Sequence, residues 1–357
     1  MQRIDADSLI HFPQTLKLKW HKRSLHFKRP AVTSRGALVE RSTYIIEANG
    51  LELGECCVMP GLLPEPSPAE LDYWCAEAER IQGLPPAPSP IRFGMECAML
   101  AALHPGHPRW NTPFSQGKTG IRIHHLIWMD NASNMMKAMQ AGIAQGFSCL
   151  KLKVGALSFQ EELALISEAH SAFPHAEIRV DANGAFSSAE ALPKLEALAN
   201  AGVSFIEQPI RHGNQEQMAE ICRHSPLPVA LDEELINTEP EKILPFIKPQ
   251  GIVIKPSLHG GLLAAQKWAQ MAEELNIEWW VNSALESHIG LTALAEWCAY
   301  AAPDKLHGLG KGSLFANDEC LNIELRNARL WYKLIENVNN SRTSCVNKYN
   351  HEQNYHT

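Results

Sequence analysis

The sequence predicts an α/β protein in which a (β/α)8 TIM-type barrel follows a smaller α+β unit. From about residue 121, short β-rich runs alternate with helical patterns, which is typical of parallel strands joined by helices. Eight such runs follow one another, and that number favours a closed barrel. An open, doubly wound sheet is the alternative, but no GxGxxG motif follows an early strand.

The elements of the barrel follow from the periodicity of the apolar residues. The predicted strands span residues 122–128, 150–154, 178–181, 204–207, 229–232, 252–255, 278–282 and 305–309. Helical patterns fill the intervals, for example at 158–172, 187–201, 261–275 and 287–300. We expect the barrel to span residues 116–315.

The segments on either side of the barrel differ from it in pattern. Residues 1–115 predict an α+β unit, with antiparallel strands at 15–20 and 42–47 and helices at 68–81 and 89–103. After the barrel, LNIELRNARLWY predicts a strand pair that returns to this N-terminal unit within residues 316–336. Residues 337–357 are polar and lack apolar periodicity, so we expect a disordered tail.

Composition excludes several classes of function. The net charge is −7, with 45% apolar and 20% charged residues, and a negative chain is a poor partner for nucleic acid. Nine scattered cysteines without a CxxC pair indicate a reducing compartment. We see no signal peptide, and no uncharged apolar run approaches the ~20 residues that span a bilayer. We therefore expect a cytoplasmic protein, and the sequence leaves its oligomeric state open.

Charged residues gather at the ends of the predicted strands. They recur roughly 25 residues apart, which is about one strand–helix unit of a barrel. Successive units advance one strand around a barrel, so we expect these side chains to meet at its C-terminal mouth, where such barrels keep their active sites. The residues are Lys151, Lys153, Asp181, Glu207, Asp232 and Lys255.

This combination of residue types indicates metal-assisted proton transfer. Three carboxylates on separate strands are hard oxygen ligands that suit octahedral Mg²⁺ better than tetrahedral zinc. Two lysines on opposite sides of such a metal can act as acid and base where burial and neighbouring charge lower a lysine pKa towards ~7–8. A single acid at a strand end is as often a solvated residue or a helix cap, but a periodic set is much harder to reach by chance.

The motifs around these residues resemble a known family. They are KLKVG, RVDANGAF, FIEQP, ALDEEL, VIKPSLHGG, SALESHIGL and HGLGKGSLF, and GECCVMPGL and FGMECAML resemble its N-terminal capping domain. The chain resembles the enolase superfamily over residues 15–335, and within it the o-succinylbenzoate synthases of the muconate-cycloisomerase-like branch. The resemblance implies a modified, enolase-like barrel with an α+β capping domain.

The resemblance also implies a reaction and its residues. Members of the superfamily pair a lysine or histidine base with Mg²⁺, and here the implied ligands are Asp181, Glu207 and Asp232, with Mn²⁺ as a substitute. The implied reaction is the syn dehydration of 2-succinyl-6-hydroxy-2,4-cyclohexadiene-1-carboxylate to o-succinylbenzoate, in menaquinone biosynthesis. The small anionic substrate would lose an α-proton and pass through an enediolate.

The resemblance further assigns the lysines and some secondary residues. Lys153 would be the base, Lys151 its electrostatic neighbour, and Lys255 would stabilise the enediolate from the opposite face. Asn183, Ser283 and Arg35 are secondary candidates: a polar site residue, a contact for a substrate carboxylate, and part of a loop that closes over substrate.

Other activities use the same residues. N-acylamino acid racemases, dipeptide epimerases and muconate cycloisomerases share the carboxylate and lysine set, and the two-lysine layout favours a racemase as well as a dehydratase. A barrel that only binds a ligand is a more distant alternative.

Overall fold

The computed structural model describes residues 1–13, 15–33, 36–50, 52–155, 157–310, 314–318 and 322–334. Two sequence predictions fall outside these residues, the polar tail at 337–357 and the loop residue Arg35.

The N-terminal unit is an antiparallel sheet with helices packed against it. Its strands are β1 (Leu18–Thr33), β2 (Gly36–Ala48) and β3 (Glu52–Cys57), in that order across the sheet. Its helices are α1 (Asp7–Ile10), α2 (Pro68–Ile81) and α3 (Ser89–Ala102). The sequence explains the start of α2. The Ser67 hydroxyl accepts the Glu70 backbone N–H, and the proline at the first helical position has no N–H of its own that would need a partner. We call this unit the capping domain.

The second unit is a parallel sheet with a helix after each strand. Its strands are β5 (His125–Ile127), β6 (Cys149–Lys153), β7 (Glu177–Asp181), β8 (Phe205–Glu207), β9 (Val229–Leu231), β10 (Gly251–Ile254) and β11 (Glu278–Val281). The helices are α4 (Ala132–Ala144), α5 (Phe159–Ala172), α6 (Ser188–Asn200), α7 (Gln215–His224), α8 (Pro240–Ile247), α9 (Gly261–Glu274) and α10 (His288–Ala301). The strands pair in sequence order. The predicted α/β barrel is therefore confirmed.

Two isolated bridges close the barrel where the eighth strand was predicted. Gly308 bridges Asn282 after β11, and His307 bridges Ile123 before β5, both in parallel. The predicted strand 305–309 is thus reduced to two bridges. The predicted strand 122–128 is also wrong in part, because it divides into β4 (Ile121–Arg122), which pairs outside the barrel, and β5.

The C-terminal strand pair is present but pairs elsewhere than predicted. Strands β12 (Ile323–Arg326) and β13 (Arg329–Tyr332) form an antiparallel hairpin, and β13 pairs with β4 at the start of the barrel segment. The expected return to the N-terminal sheet is therefore wrong for this pair. The return is made earlier, where Phe315 bridges Phe27 of β1. Two left-handed residues, Asn327 and Ala328, form the hairpin turn.

Two carboxylates of the capping domain lie against the first turns of barrel helices. Glu96 of α3 accepts the backbone N–H groups of Leu262 and Leu263 in α9. Glu55 of β3 accepts the N–H groups of Ser287 and Gly290 at the start of α10. The unpaired N–H groups of a helix start favour such anionic partners, so these contacts join the two units.

Membrane and redox expectations can be compared with the described residues. Within those ranges, the structure contains no helix that is both long and apolar enough to cross a bilayer. The seven cysteines in this part of the chain are buried free thiols. The cytoplasmic location stays a prediction.

Candidate active site

The strand register brings the predicted charged residues to one edge of the sheet. Lys153 of β6 is the direct partner of Asp181 in β7, and Asp181 is the partner of Glu207 in β8. Asp232 and Lys255 directly follow β9 and β10. Because parallel strands end at the same edge, all of these side chains lie at the C-terminal mouth of the barrel.

The three carboxylates converge closely enough to share one cation. One oxygen from each of Asp181, Glu207 and Asp232 lies within 4.8 Å of the others, and all three residues are buried. Among the residues that the structure describes, Glu207 Oε1 and Asp232 Oδ1 have no hydrogen-bond partner. Buried carboxylate oxygens without donors are costly unless a cation binds them. The donor set therefore fits a hard divalent cation such as Mg²⁺.

Two lysines of β6 approach this cluster from one side. Lys151 Nζ donates to Glu207 Oε2 at 2.5 Å and lies 3.0 Å from Asp181 Oδ2. Lys153 Nζ donates to Asp181 Oδ2 and to Asn183 Oδ1, each at 2.6 Å. Residues two apart on a strand share a face, and both ammonium groups indeed contact Asp181.

A third lysine approaches from the other side. Lys255 Nζ donates to Asp232 Oδ2, and its backbone N–H donates to His259 Nδ1 at 3.1 Å. Lys153 and Lys255 therefore contact different carboxylates of the cluster. A substrate bound between them would meet a lysine on each side.

The pKa directions reflect the crowding of charge. Burial disfavours the charged form of Lys151 and Lys255, but the neighbouring carboxylates raise the pKa of both. The sequence led us to expect lowered lysine pKa values, and for these two residues the direction is the opposite. Burial and the charge of Asp181 raise the pKa of Glu207, whereas the lysines outweigh burial and lower the pKa of Asp181.

The secondary candidates differ in where they lie. Asn183 has a left-handed backbone and links Lys153 to Glu233, whose Oε1 accepts the Asn183 amide at 2.9 Å. Ser283 follows β11 and Asn282 at the mouth, and its N–H donates to Gly308. Arg35 lies outside the described residues.

Sequence reasoning missed a buried amide at the site. Gln208, in the FIEQP motif, is buried and accepts the backbone N–H groups of Asp232 and Glu234 through Oε1. Its Nε2 donates to Ile210 O at 3.0 Å. It therefore fixes the carboxylate that follows β9. An amide directly after a predicted ligand was the available signal.

Comparisons with known proteins agree with this geometry. Residues 134–319 match the family described as "Enolase C-terminal domain-like", and that span contains all six charged residues of the mouth. The chain belongs to the enolase superfamily. It is 37% identical to the o-succinylbenzoate synthase of Desulfotalea psychrophila over 354 residues, covering 85% of this chain and 95% of that protein.

Solved structures place the fold in the same superfamily. The crystal structure of MenC from Desulfotalea psychrophila has a TM-score of 0.76 and 33% identity, covering 89% of this chain and all of that one. The L-Ala-D/L-Glu epimerase of Bacillus subtilis is 29% identical over 183 residues, half of each chain. Its substrate-liganded structure has a TM-score of 0.75 at 18% identity, with 90% and 96% of the two chains covered, which shows the shared fold.

Proposed function

We propose that this enzyme is an o-succinylbenzoate synthase, a hydro-lyase that dehydrates 2-succinyl-6-hydroxy-2,4-cyclohexadiene-1-carboxylate. One observation carries the proposal: a relative with that activity in its name aligns over nearly its whole length at 37% identity. The intact set of three buried carboxylates flanked by lysines supports it.

The carboxylate cluster is the proposed metal site. Asp181, Glu207 and Asp232 would hold Mg²⁺, or Mn²⁺ in its place, because their oxygens converge and two of them lack donors. A bound divalent cation supplies Lewis-acid stabilisation of the negative charge that develops on the substrate carboxylate. It would also compete with the lysines for the charge of these carboxylates.

The lysines divide the chemistry between them. Lys153, as a free amine, removes the proton α to the substrate carboxylate, and the resulting ammonium returns that proton to the departing hydroxyl group. The C–H and C–O bonds break, a ring double bond forms and water leaves. One proton-transfer group is enough for a syn elimination, so Lys255 acts from the opposite side by its positive charge, and Lys151 favours the ionised form of Asp181.

Polar residues beside the lysines would orient the base and the substrate. Asn183 holds the Lys153 ammonium through Oδ1 and is itself held by Glu233. Ser283, at the end of β11, is the proposed contact for a carboxylate of the anionic substrate. These roles follow from position at the mouth.

A racemase or epimerase activity is the second candidate. The observation that favours it is the placement of Lys153 and Lys255 against different carboxylates. In a racemisation one lysine removes the α-proton and the other returns a proton on the opposite face.

A paired assay distinguishes the two candidates. The purified protein with Mg²⁺ is given the cyclohexadiene carboxylate, with dehydration followed by absorbance, and in parallel a panel of N-succinylamino acids, with racemisation followed by polarimetry. We expect rapid dehydration. Racemisation of the panel without dehydration would replace the proposal with the second candidate.

A further inference from the structure

The segments that follow β10 and β11 are joined by one buried carboxylate. Glu286 Oε1 accepts the hydroxyl of Ser257 at 2.7 Å, and Glu286 Oε2 accepts the backbone N–H of Ala284 at 2.7 Å. Ser257 is fully buried and lies two residues after Lys255. The contact therefore ties the segment that carries Lys255 to the loop after the next strand.

The capping domain holds that loop in place. The Arg41 guanidinium of β2 donates to Leu285 O, and Cys57 Sγ of β3 donates to Ala284 O at 3.2 Å. Leu285 has a φ of 62°, a left-handed conformation that an ordinary side chain adopts only where its surroundings impose it. The loop is thus fixed from outside the barrel on one side of Glu286.

The same contacts continue to the helix that follows. Glu55 Oε2 accepts the Ser287 hydroxyl at 2.6 Å, and Glu55 Oε1 accepts from Arg41 at 2.9 Å. Arg41 and Glu55 are fully buried. A buried ion pair resists displacement, because separating it leaves an uncompensated charge. The residue beside Ser287, Glu286, is therefore attached to a rigid support.

We propose that Glu286 is a positioning residue for Lys255: through Ser257 it holds the lysine segment at the distance from the carboxylates that the capping domain sets. The inference rests on the proposed role of Lys255 as the charge-bearing lysine. Glu286 itself has both oxygens engaged by the protein and does not contact substrate. Its effect reaches the reaction only through the backbone between Ser257 and Lys255.

Kinetics of four variants test this role. Glu286→Ala removes both contacts, and we expect kcat to fall about ten- to a hundredfold with little change in KM, because small misplacements of a catalytic group cost that much. Glu286→Gln should recover much of the rate, since its amide can accept from Ala284 and donate to the Ser257 hydroxyl. Ser257→Ala should lower kcat, and adding it to Glu286→Ala should cause no further loss.

Glu296→Ala is the matched control. Glu296 is also buried and lies in α10, the helix that follows Glu286, but it pairs with Arg109 at 2.9 Å and not with a mouth residue. We expect this control to lower Tm and leave kcat unchanged. Wild-type kcat in folded Glu286→Ala, multiplicative losses in the double variant, or an equal kcat loss in Glu296→Ala would overturn the positioning role.

A second readout separates this inference from the proposed function. The rate at which the substrate α-proton exchanges in D₂O, followed by NMR, measures proton transfer by the same lysines whether the enzyme is a dehydratase or a racemase. If the wild-type protein exchanges α-protons without dehydrating the ring substrate, the proposed function fails, and the four variants still test Glu286 by exchange rate.

Discussion

Four of the barrel helices show two different ways in which a helix can begin. Helices α5 and α7 start with their own residues: Ser158 and Asn214 accept backbone N–H groups of the first turn, and Ser158 forms a reciprocal pair with Glu161. Helix α9 starts against Glu96 of the capping domain, and α10 starts against Glu55 in addition to its own Ser287, whose hydroxyl accepts the Ile289 N–H. Glycine at 261 and 290 permits this, because a Cβ at either position would overlap Glu96 or Glu55.

This difference divides the mouth into a local half and an assembled half. Lys153, Asp181 and Glu207 lie on β6, β7 and β8, where neighbouring strand–helix units place them. The loops around Lys255 and Ser283 are held by residues more than 150 positions away, among them Arg41 and Glu55. The local half should therefore tolerate damage to the capping domain better than the assembled half.

Removal of the metal has the largest expected effect and concerns the carboxylate cluster, of which Asp181 and Glu207 belong to the local half. Exhaustive chelation should abolish dehydration, and Mg²⁺ or Mn²⁺ should restore it, because the developing charge loses its Lewis acid. Asp232→Asn should weaken Mg²⁺ binding measured by calorimetry, whereas Glu96→Gln in the domain contact should leave Mg²⁺ affinity unchanged. Full turnover in excess chelator would contradict the metal site.

The next effect concerns the lysine of the assembled half. Lys255→Ala removes a positive charge and should lower kcat by about 10²-fold or more. Lys255→Arg should retain more activity because the charge survives, although the planar guanidinium fits the site less well. Steady-state dehydration kinetics measure both variants. Equal activity of Lys255→Ala and Lys255→Arg would contradict the proposal that Lys255 acts through its positive charge.

Stability should separate the two kinds of helix start. Glu55→Ala leaves the Arg41 guanidinium buried without its anion, and we expect a loss of about 3–5 kcal/mol in the free energy of unfolding. Ser158→Ala removes one exposed cap and should cost about 1 kcal/mol. Urea unfolding of both variants checks the difference. A loss of similar size in both would remove the distinction between the halves.

A further expected effect is a pH dependence at the α9 contact. Burial, opposed by Arg92, raises the pKa of Glu96 from 4.5 to about 7. Below pH 4.5 the Glu96 carboxyl is protonated in both the folded and the unfolded protein. Between pH 4.5 and 7 the unfolded chain has released this proton, whereas the folded protein still holds it. Its contribution to stability is therefore full below pH 4.5 and falls as pH rises towards 7, by up to about 3 kcal/mol.

Glu96→Gln supplies the control for that pH dependence. The difference in unfolding free energy between wild type and variant should fall from pH 5 to pH 7 and stay level above pH 7.5. A difference that does not change with pH would show that Glu96 does not titrate in this range.

The residues of the local half could be predicted from the sequence. Strand periodicity and the recurring spacing identified Lys153, Asp181 and Glu207, because each side chain is placed by its own strand–helix unit. Helix starts such as Ser158 were readable for the same reason. The predicted fold class and the carboxylate cluster therefore agree with the structure.

The assembled half could not be predicted in the same way. The contacts of Glu55 and Arg41 with residues 285–290 join segments more than 230 positions apart, and no local pattern encodes such a contact. The eighth strand was overpredicted because closure needs only His307 and Gly308. Pairing of β13 with β4 likewise depends on the tertiary packing of both.

The most direct test is the dehydration rate of Lys153→Ala beside the wild-type protein. The account predicts that Mg²⁺ affinity and Tm stay near wild type while kcat for the cyclohexadiene carboxylate falls by at least about 10³-fold, because the only proposed base is gone. Near-native turnover in Lys153→Ala, together with an inactive Lys255→Ala, would contradict the account and place the base on the opposite side of the carboxylates.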